Sequence, residues 1–211
     1  MTALRELPAA ELLAAYRRRA LSPLEVTRAV LAHIERWESR LHATYALDPE
    51  GALAMARASE RRWLAGAPIG APIGQLVVPR LKLNIVMVNG TDSASLKRGP
   101  GRDGRTFMPG EGKLVYIAGH RTTYLAPFSA IDTMRPGDRV TLKMPYGTFE
   151  YAVTGHTIVD ASDLSVLKSR GREQVALQAC HPRFFATQRY IVWARPVRVT
   201  PTGGRPYRPV G

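Results

Sequence analysis

The stretch VALQACHPRFFATQRYIVWARPVRV, residues 175–199, decides how the second part of the chain folds. Its two ends, 175–179 and 190–199, are rich in apolar, β-branched and aromatic residues, and such runs favour β-strands. If the two runs pair as a hairpin, Cys180 at the end of the first run and Arg189 at the start of the second become neighbours. The stretch therefore predicts a hairpin that carries a cysteine and an arginine at its loop end.

Similar short runs recur throughout the chain from about residue 75 onward, separated by Pro-Gly, Asn-Gly and Tyr-Gly turn signals. The further predicted strands are 76–81, 85–88, 114–118, 139–143 and 149–153, with short helical turns at 93–97, 127–132 and 163–167. Many short strands with turn signals at intervals of about 8–12 residues are typical of an antiparallel sandwich or barrel. This part of the chain is therefore expected to be mainly β.

The first 66 residues show the pattern of helices instead. Strong helix formers follow Pro8, and Ser22-Pro23-Leu24-Glu25 matches a capping box with proline at the first helical position. Asp48-Pro49 starts a third helix in the same way, and Gly66 ends it. In the second helix the apolar residues recur every three or four positions: Val26, Val30, Ile34, Trp37 and Leu41. Three helices are therefore predicted.

The two patterns meet at the run GAPIGAPIG, residues 66–74. Proline lacks the backbone N–H that helices and sheets use, and glycine is flexible, so we expect this run to interrupt both kinds of structure. The predicted organisation is a helical segment at 1–66, a Gly/Pro linker at 67–74, a β domain at 75–200 and a Pro/Gly-rich tail at 201–211.

The net charge of the chain is +13, and most of it lies in residues 71–211, which carry 20 Lys/Arg and 9 Asp/Glu. A basic domain favours anionic partners such as nucleic acid, acidic lipid or an anionic cell envelope. The charges are scattered singly and no aromatic stacking motif accompanies them, so we expect no nucleic-acid partner. The apolar runs are of strand length and no signal-peptide core is visible, so neither a transmembrane nor a targeting segment is expected.

Cys180 is the only cysteine, which excludes an intramolecular disulfide. The five histidines are dispersed, so no metal site and no cofactor are expected. Cysteine attack on an amide needs a thiolate, a nearby imidazole and a donor for the oxyanion. His120 ends the predicted strand LVYIAG, at a strand-to-loop edge. Taken singly, however, a cysteine is more often buried core filling and an edge histidine more often structural, so both readings stay open at this point.

His181 is nearer to Cys180 in sequence than His120 is. Adjacent residues of a strand face opposite sides, so we interpret His181 as part of the loop and not as a partner of the thiol.

Several motifs, in order, resemble the sortase family over residues 75–199. They are VPRL and VNGTD at 78–81 and 88–92, LKRGPG at 96–101, PGEG at 109–112, IAGHRTTY followed by APF at 117–128, and LQACHP at 177–182. Among the sortase classes the motifs look most like class E and less like classes D and F. The chain departs from the family's TLxTC strand at two positions, where Ala176 and Ala179 replace threonines.

The resemblance implies a closed sortase-type β-barrel with short helices. It implies that Cys180 is the nucleophile, that His120 is the general acid and then the base, and that Arg189 holds the oxyanion. Tyr124, Ala118 and Ala179 would line the substrate site. The implied partners are an LPxTG- or LAxTG-like sorting signal of surface proteins and an amine acceptor of the cell wall or a pilin. The implied cellular location is the cell surface, and the oligomeric state is left open.

Residues 1–66 have a separate resemblance, to the N-terminal helices of amidase-signature enzymes. It rests on LPAAELL, LSPLEV, Ile34 and LHATY at 41–45, without the Gly/Ser-rich segment that carries that family's serines. Two alternatives to a transpeptidase follow. One is an inactive or binding-only sortase-fold module in a fusion protein, and the other is an amidase remnant acting on small amides.

Overall fold

The computed structural model describes residues 4–42, 44 and 47–209. These residues form two compact units that divide between Gly66 and Ala67. Two residues of the LHATY motif, Ala43 and Tyr45, and the last two residues of the predicted tail lie outside the described residues.

The described part of the first unit contains three α-helices, as predicted: α1 at Ala9–Arg18, α2 at Pro23–Leu41 and α3 at Pro49–Ala65. The capping box at the start of α2 forms in both directions. The Ser22 hydroxyl accepts from the Glu25 backbone N–H at 3.1 Å, and the Glu25 carboxylate accepts from the Ser22 N–H at 2.8 Å. Two of the N–H groups that a helix start leaves without partners are thereby satisfied.

The second unit is a closed barrel, and this confirms the predicted fold class. Its eight strands are β1 at Pro72–Val78, β2 at Leu83–Asn89, β3 at Gly101–Arg102, β4 at Leu114–Ala118, β5 at Arg139–Met144, β6 at Gly147–Asp160, β7 at Gln174–His181 and β8 at Gln188–Pro201. The order around the barrel is β1-β2-β3-β4-β7-β8-β6-β5, and β1 pairs with β5 to close it. The β2–β3 and β4–β7 pairs are parallel, and the other pairs are antiparallel.

Alternating side chains fill the interior of the barrel, as expected for strands with one buried face. The fully buried interior residues include Leu76, Val78, Ile117, Val140, Leu142 and Leu177. Strand β4 is buried on both faces, because a 3-10 turn at Leu164–Leu167 also covers its outer side. Helix α4 at Ser93–Arg98 covers the predicted helical turn at 93–97. A 3-10 turn at Ile131–Thr133 overlaps the end of the predicted turn at 127–132.

The structure differs from the sequence expectation at the start of the barrel. Strand β1 begins at Pro72, inside the stretch 67–74 that we expected to be a linker. Pro72 is the first residue of the strand, where a missing N–H is tolerated. A Cβ at Gly74 would lie 2.7 Å from the Lys143 carbonyl oxygen, so glycine permits the close approach of β1 to β5. Strand β3, of two residues, has no counterpart among the predicted strands.

The chain after β8 also pairs with the barrel, although 201–211 is predicted as a tail. Tyr207 and Val199 exchange backbone hydrogen bonds of 2.9 Å in both directions.

Candidate active site

The β7–β8 hairpin forms as predicted, with Cys180 directly opposite Arg189 in the antiparallel register. Cys180 is a free, half-buried cysteine near the end of β7, where the hairpin turns into the loop 182–187. The two strands pair over seven positions, from Val175 opposite Ala194 to His181 opposite Gln188. The pairing of residues 180 and 189 therefore depends on the whole hairpin.

His120 lies at the end of the neighbouring strand, on the same side of the barrel. Strands β4 and β7 are parallel, with Ala118 opposite Gln178, and the Gly119 N–H continues the ladder with a 3.0 Å bond to the Gln178 carbonyl. His120 and Cys180 each come two residues after that last matched pair. The three residues expected to act together thus stand at the ends of three adjacent strands.

The His120 ring has one engaged nitrogen and one free nitrogen. Nδ1 lies 3.1 Å from the Thr123 hydroxyl, while Nε2 is buried and has no hydrogen-bond partner among the residues that the structure describes. Burial, with a smaller contribution from the positive charge of Lys97, lowers the pKa of His120 below its usual value. A buried polar atom without a partner is rare in folded proteins, so the unpaired Nε2 calls for a functional explanation.

Arg189 is held against its own loop. Its Nη1 donates to the carbonyl oxygens of Ala186 at 2.8 Å and of Gln188 at 2.9 Å. These bonds fix the guanidinium at the loop end of the hairpin, where Arg189 opposes Cys180 in the backbone register. An arginine carries five N–H donors, so two bonds made by Nη1 leave donors for a substrate oxygen.

The three residues expected to line the substrate site differ in exposure. Tyr124 is 60% exposed, its ring centroid is 5.0 Å from that of His120, and Lys97 Nζ lies 5.2 Å from its ring centre. Ala118 and Ala179, in contrast, are buried. Their methyl groups therefore face packed neighbours, and Tyr124 is the one of the three that a peptide can reach.

Two loops next to the site expose apolar side chains that the sequence analysis did not single out. Leu125 follows Tyr124 in one loop, and Phe184 and Phe185 lie in the loop between β7 and β8. Arg183 donates to the Ser129 carbonyl oxygen and thereby joins the two loops. Two consecutive phenylalanines in a predicted loop are the signal that could have identified this exposed apolar surface, because large apolar side chains are unusual at exposed loop positions.

The structure places His181 differently from our expectation. His181 is the last residue of β7, paired with Gln188, and not part of the loop. Its ring nitrogen Nδ1 lies 3.0 Å from Nη1 of Arg121. Arg121, which also escaped the sequence analysis, is a buried residue next to His120 in the chain, and it contacts the backbone of Cys180.

Among the described residues, no group of three or more His, Cys, Asp or Glu side chains is arranged to hold a metal ion. In the same residues no helix is both long and apolar enough to cross a membrane.

Each comparison with known proteins finds that the barrel is similar to sortases. Residues 76–197 match the family model described as a sortase domain. Sortase D of Bacillus subtilis is 30% identical over 132 residues, which are 61% of this chain and 65% of that protein. The crystal structure of sortase E1 from Streptomyces coelicolor, with a tripeptide in its active site, superposes with a TM-score of 0.58 at 29% identity, covering 63% of this chain and 91% of that one.

The curated relatives are longer than the matched part of the chain, which spans less than two thirds of the length of Sortase D. A separate match, 45% identical over 74 residues, is to a glutamyl-tRNA(Gln) amidotransferase subunit of Salinispora arenicola. The match covers 35% of this chain and only 15% of that protein. Such a short shared segment gives no ground for assigning that enzyme's activity to this chain.

Proposed function

The chain belongs to the sortase family, and on that premise we propose that it is a cysteine transpeptidase that cleaves an LPxTG- or LAxTG-like sorting signal between Thr and Gly. Family membership supports transpeptidation in general, and the site supports the assignment of residues. The observation that carries it is the juxtaposition at one end of the barrel. Cys180 opposes Arg189, and just beyond the adjacent strand His120 has a buried Nε2 without a hydrogen-bond partner in the described part of the chain.

In the first half of the reaction, the Cys180 thiolate attacks the carbonyl carbon of the threonine. Arg189 donates hydrogen bonds to the oxygen on which negative charge develops. The C–N bond to glycine then breaks, protonated His120 gives its proton to the leaving amine, and a thioester between Cys180 and threonine remains.

In the second half, the amine of an acceptor attacks the thioester carbonyl. Neutral His120 takes the proton of the attacking amine, and the Cys180 thiolate leaves as the new amide forms. Water can take the place of the amine, more slowly, and then gives a free carboxylate. His120 is already neutral at the start of this half, because it has given its proton to the leaving amine, and its lowered pKa favours that form.

The surroundings of the site support an apolar peptide as substrate. Tyr124, Leu125, Phe184 and Phe185 expose apolar surface on the two loops that Arg183 joins, and the leucine and proline of a sorting signal are themselves apolar. The proposed partners are therefore the sorting signals of surface proteins and an amine of a cell-wall precursor or pilin. The proposed site of action is outside the cytoplasm, at the cell surface.

The test is intact-mass spectrometry of the chain after incubation with LAxTG and LPxTG peptides, beside Cys180→Ala. We expect a thioester adduct on the native chain alone, released as a new amide when an amine is added, because only a sulfur nucleophile can form it.

Two other outcomes would contradict the proposal. A folded barrel that forms no adduct with either peptide would point to a binding-only module. Hydrolysis of small amides that survives in Cys180→Ala would point to an amidase remnant.

A further inference from the structure

Arg121 is a buried arginine whose guanidinium contacts several polar groups next to Cys180. Its side chain is 3% exposed, and its Nη2 forms an ion pair of 2.9 Å with Asp132. Its Nη1 donates to the carbonyl oxygen of Cys180 at 3.2 Å and lies 3.0 Å from Nδ1 of His181. The guanidinium carbon lies 5.8 Å from the ring centre of Tyr190. One planar group thus connects the end of β7 with the turn at 131–133.

This arrangement is costly for the free energy of folding. A buried charge loses its hydration, and its single carboxylate partner, Asp132, is itself 44% exposed. Nε of Arg121 is buried without a hydrogen-bond partner among the described residues. A residue chosen for stability alone would be apolar at such a position, so the contacts of the guanidinium require another explanation.

The contacts bear directly on the geometry of the proposed reaction. Arg121 follows His120 in the chain, and its guanidinium holds the backbone carbonyl of Cys180. One planar group thereby ties the residue that follows His120 to the backbone of Cys180. A lysine could not replace it, because an ammonium group has no fixed plane in which to hold separate acceptors.

The same fork acts on His181. A guanidinium only donates hydrogen bonds, so Nδ1 of His181 accepts and its ring proton sits on Nε2. The contact therefore favours the tautomer of His181 that carries its proton on Nε2 over the one that carries it on Nδ1.

We propose that Arg121 is a positioning residue, which holds Cys180 in register with His120 and keeps the ring proton of His181 on Nε2. The part of this inference that concerns reaction rate rests on the proposed transpeptidation.

The kinetic test compares Arg121→Lys with Arg135→Lys, the same change at an exposed arginine of the same loop region. We expect the kcat of Arg121→Lys to fall by about 10- to 100-fold with KM unchanged, because a displacement of about 1 Å between reacting groups costs rate rather than substrate affinity. Arg135→Lys should retain both constants.

A loss of stability must be separated from a loss of positioning. Val140→Ala opens a cavity in the barrel core, on strand β5, which does not pair with β4, β7 or β8, and it serves as a stability control. All variants are assayed well below their thermal midpoints. A kcat of Arg121→Lys that is unchanged, or that falls no further than that of Val140→Ala, would overturn the proposal.

A second readout does not depend on transpeptidation. The side-chain ¹⁵N spectrum of the native chain, with His181→Gln to assign the signals, should show His181 protonated at Nε2 and not at Nδ1. A protonated Nδ1 would overturn the inference even in an active enzyme. If the native chain forms no peptide adduct, the proposed function fails, while this spectrum still decides whether Arg121 holds His181.

Discussion

At the scale of single residues, the candidate site combines a histidine with a lowered pKa and a cysteine and an arginine that oppose each other in the strand register. The low pKa of His120 arises first from burial and then from Lys97, which approaches from α4 and also lies over the Tyr124 ring. Both causes disfavour the imidazolium. They favour the form of His120 that accepts a proton, and they make the protonated form that starts the cycle scarcer at neutral pH.

Lys97→Met should raise the pKa of His120 toward 6.5, its ordinary value, without restoring it fully, because removing a nearby positive charge favours the imidazolium while burial remains. The measurement is an NMR titration of the His120 Cε1 proton, assigned with His120→Gln. Lys97→Arg keeps the charge and serves as the control. A pKa that falls or stays constant in Lys97→Met would contradict the assignment of Lys97 as a cause.

At the scale of elements, the position of His120 beside Cys180 depends on a two-residue strand. Strand β3 bridges β2 and β4, parallel to the first and antiparallel to the second. Without it, β4 would have a free edge and the parallel β4–β7 pair, which places His120, would lose its support on one side. Gly101 permits this close packing, because a Cβ there would lie 2.0 Å from the Gly90 carbonyl oxygen.

Gly101→Ala should therefore destabilise the barrel by about 1–3 kcal/mol or more, since a backbone atom must shift to make room. Gly104→Ala, two positions from β3, is the matched control. Its Cβ would meet nothing within 4 Å, so its effect on the free energy of unfolding should stay within about 0.5 kcal/mol.

These free energies are measured by urea unfolding in a Trp37→Phe, Trp63→Phe background, in which Trp193 of β8 is the remaining tryptophan. Equal midpoints for the two glycine variants would show that β3 does not limit the stability of the barrel.

At the scale of the whole molecule, the chain consists of a helical unit and a barrel unit, and the residues of the proposed reaction all lie in the barrel unit. The barrel is closed by the pairing of β1 with both β2 and β5, so it has a complete sheet and core of its own. No residue of the helical unit has a role in the proposed reaction.

A chain that starts at Ala67 should consequently fold and form the Cys180 thioester at the rate of the full chain. A chain that starts at Leu83 lacks β1 and should not fold, because β2 and β5 are then left as free edges. Circular dichroism and intact-mass spectrometry of both truncated chains check this. A folded but inactive chain from Ala67 would give the helical unit a part in the reaction.

Much of this protein follows from local sequence. Helix caps, the alternation of apolar residues and the spacing between Cys180 and Arg189 depend on neighbouring positions, so they predicted three helices, a β-hairpin and the two residues at its end. The motif around His120 added the third residue through its resemblance to sortases. These features involve interactions over a few residues or a single hairpin.

The tertiary structure alone decided the burial of Arg121, the ring contact of His181, the two-residue strand β3 and the packing of Ala118 and Ala179 away from solvent. The Arg121 contacts join residues 59 and 60 positions apart, across two parallel strands. No periodicity or turn signal encodes such a pairing, because it depends on which strands become neighbours when the barrel closes. An exposed and a buried arginine look the same in the sequence, and only the closed barrel removes one of them from water.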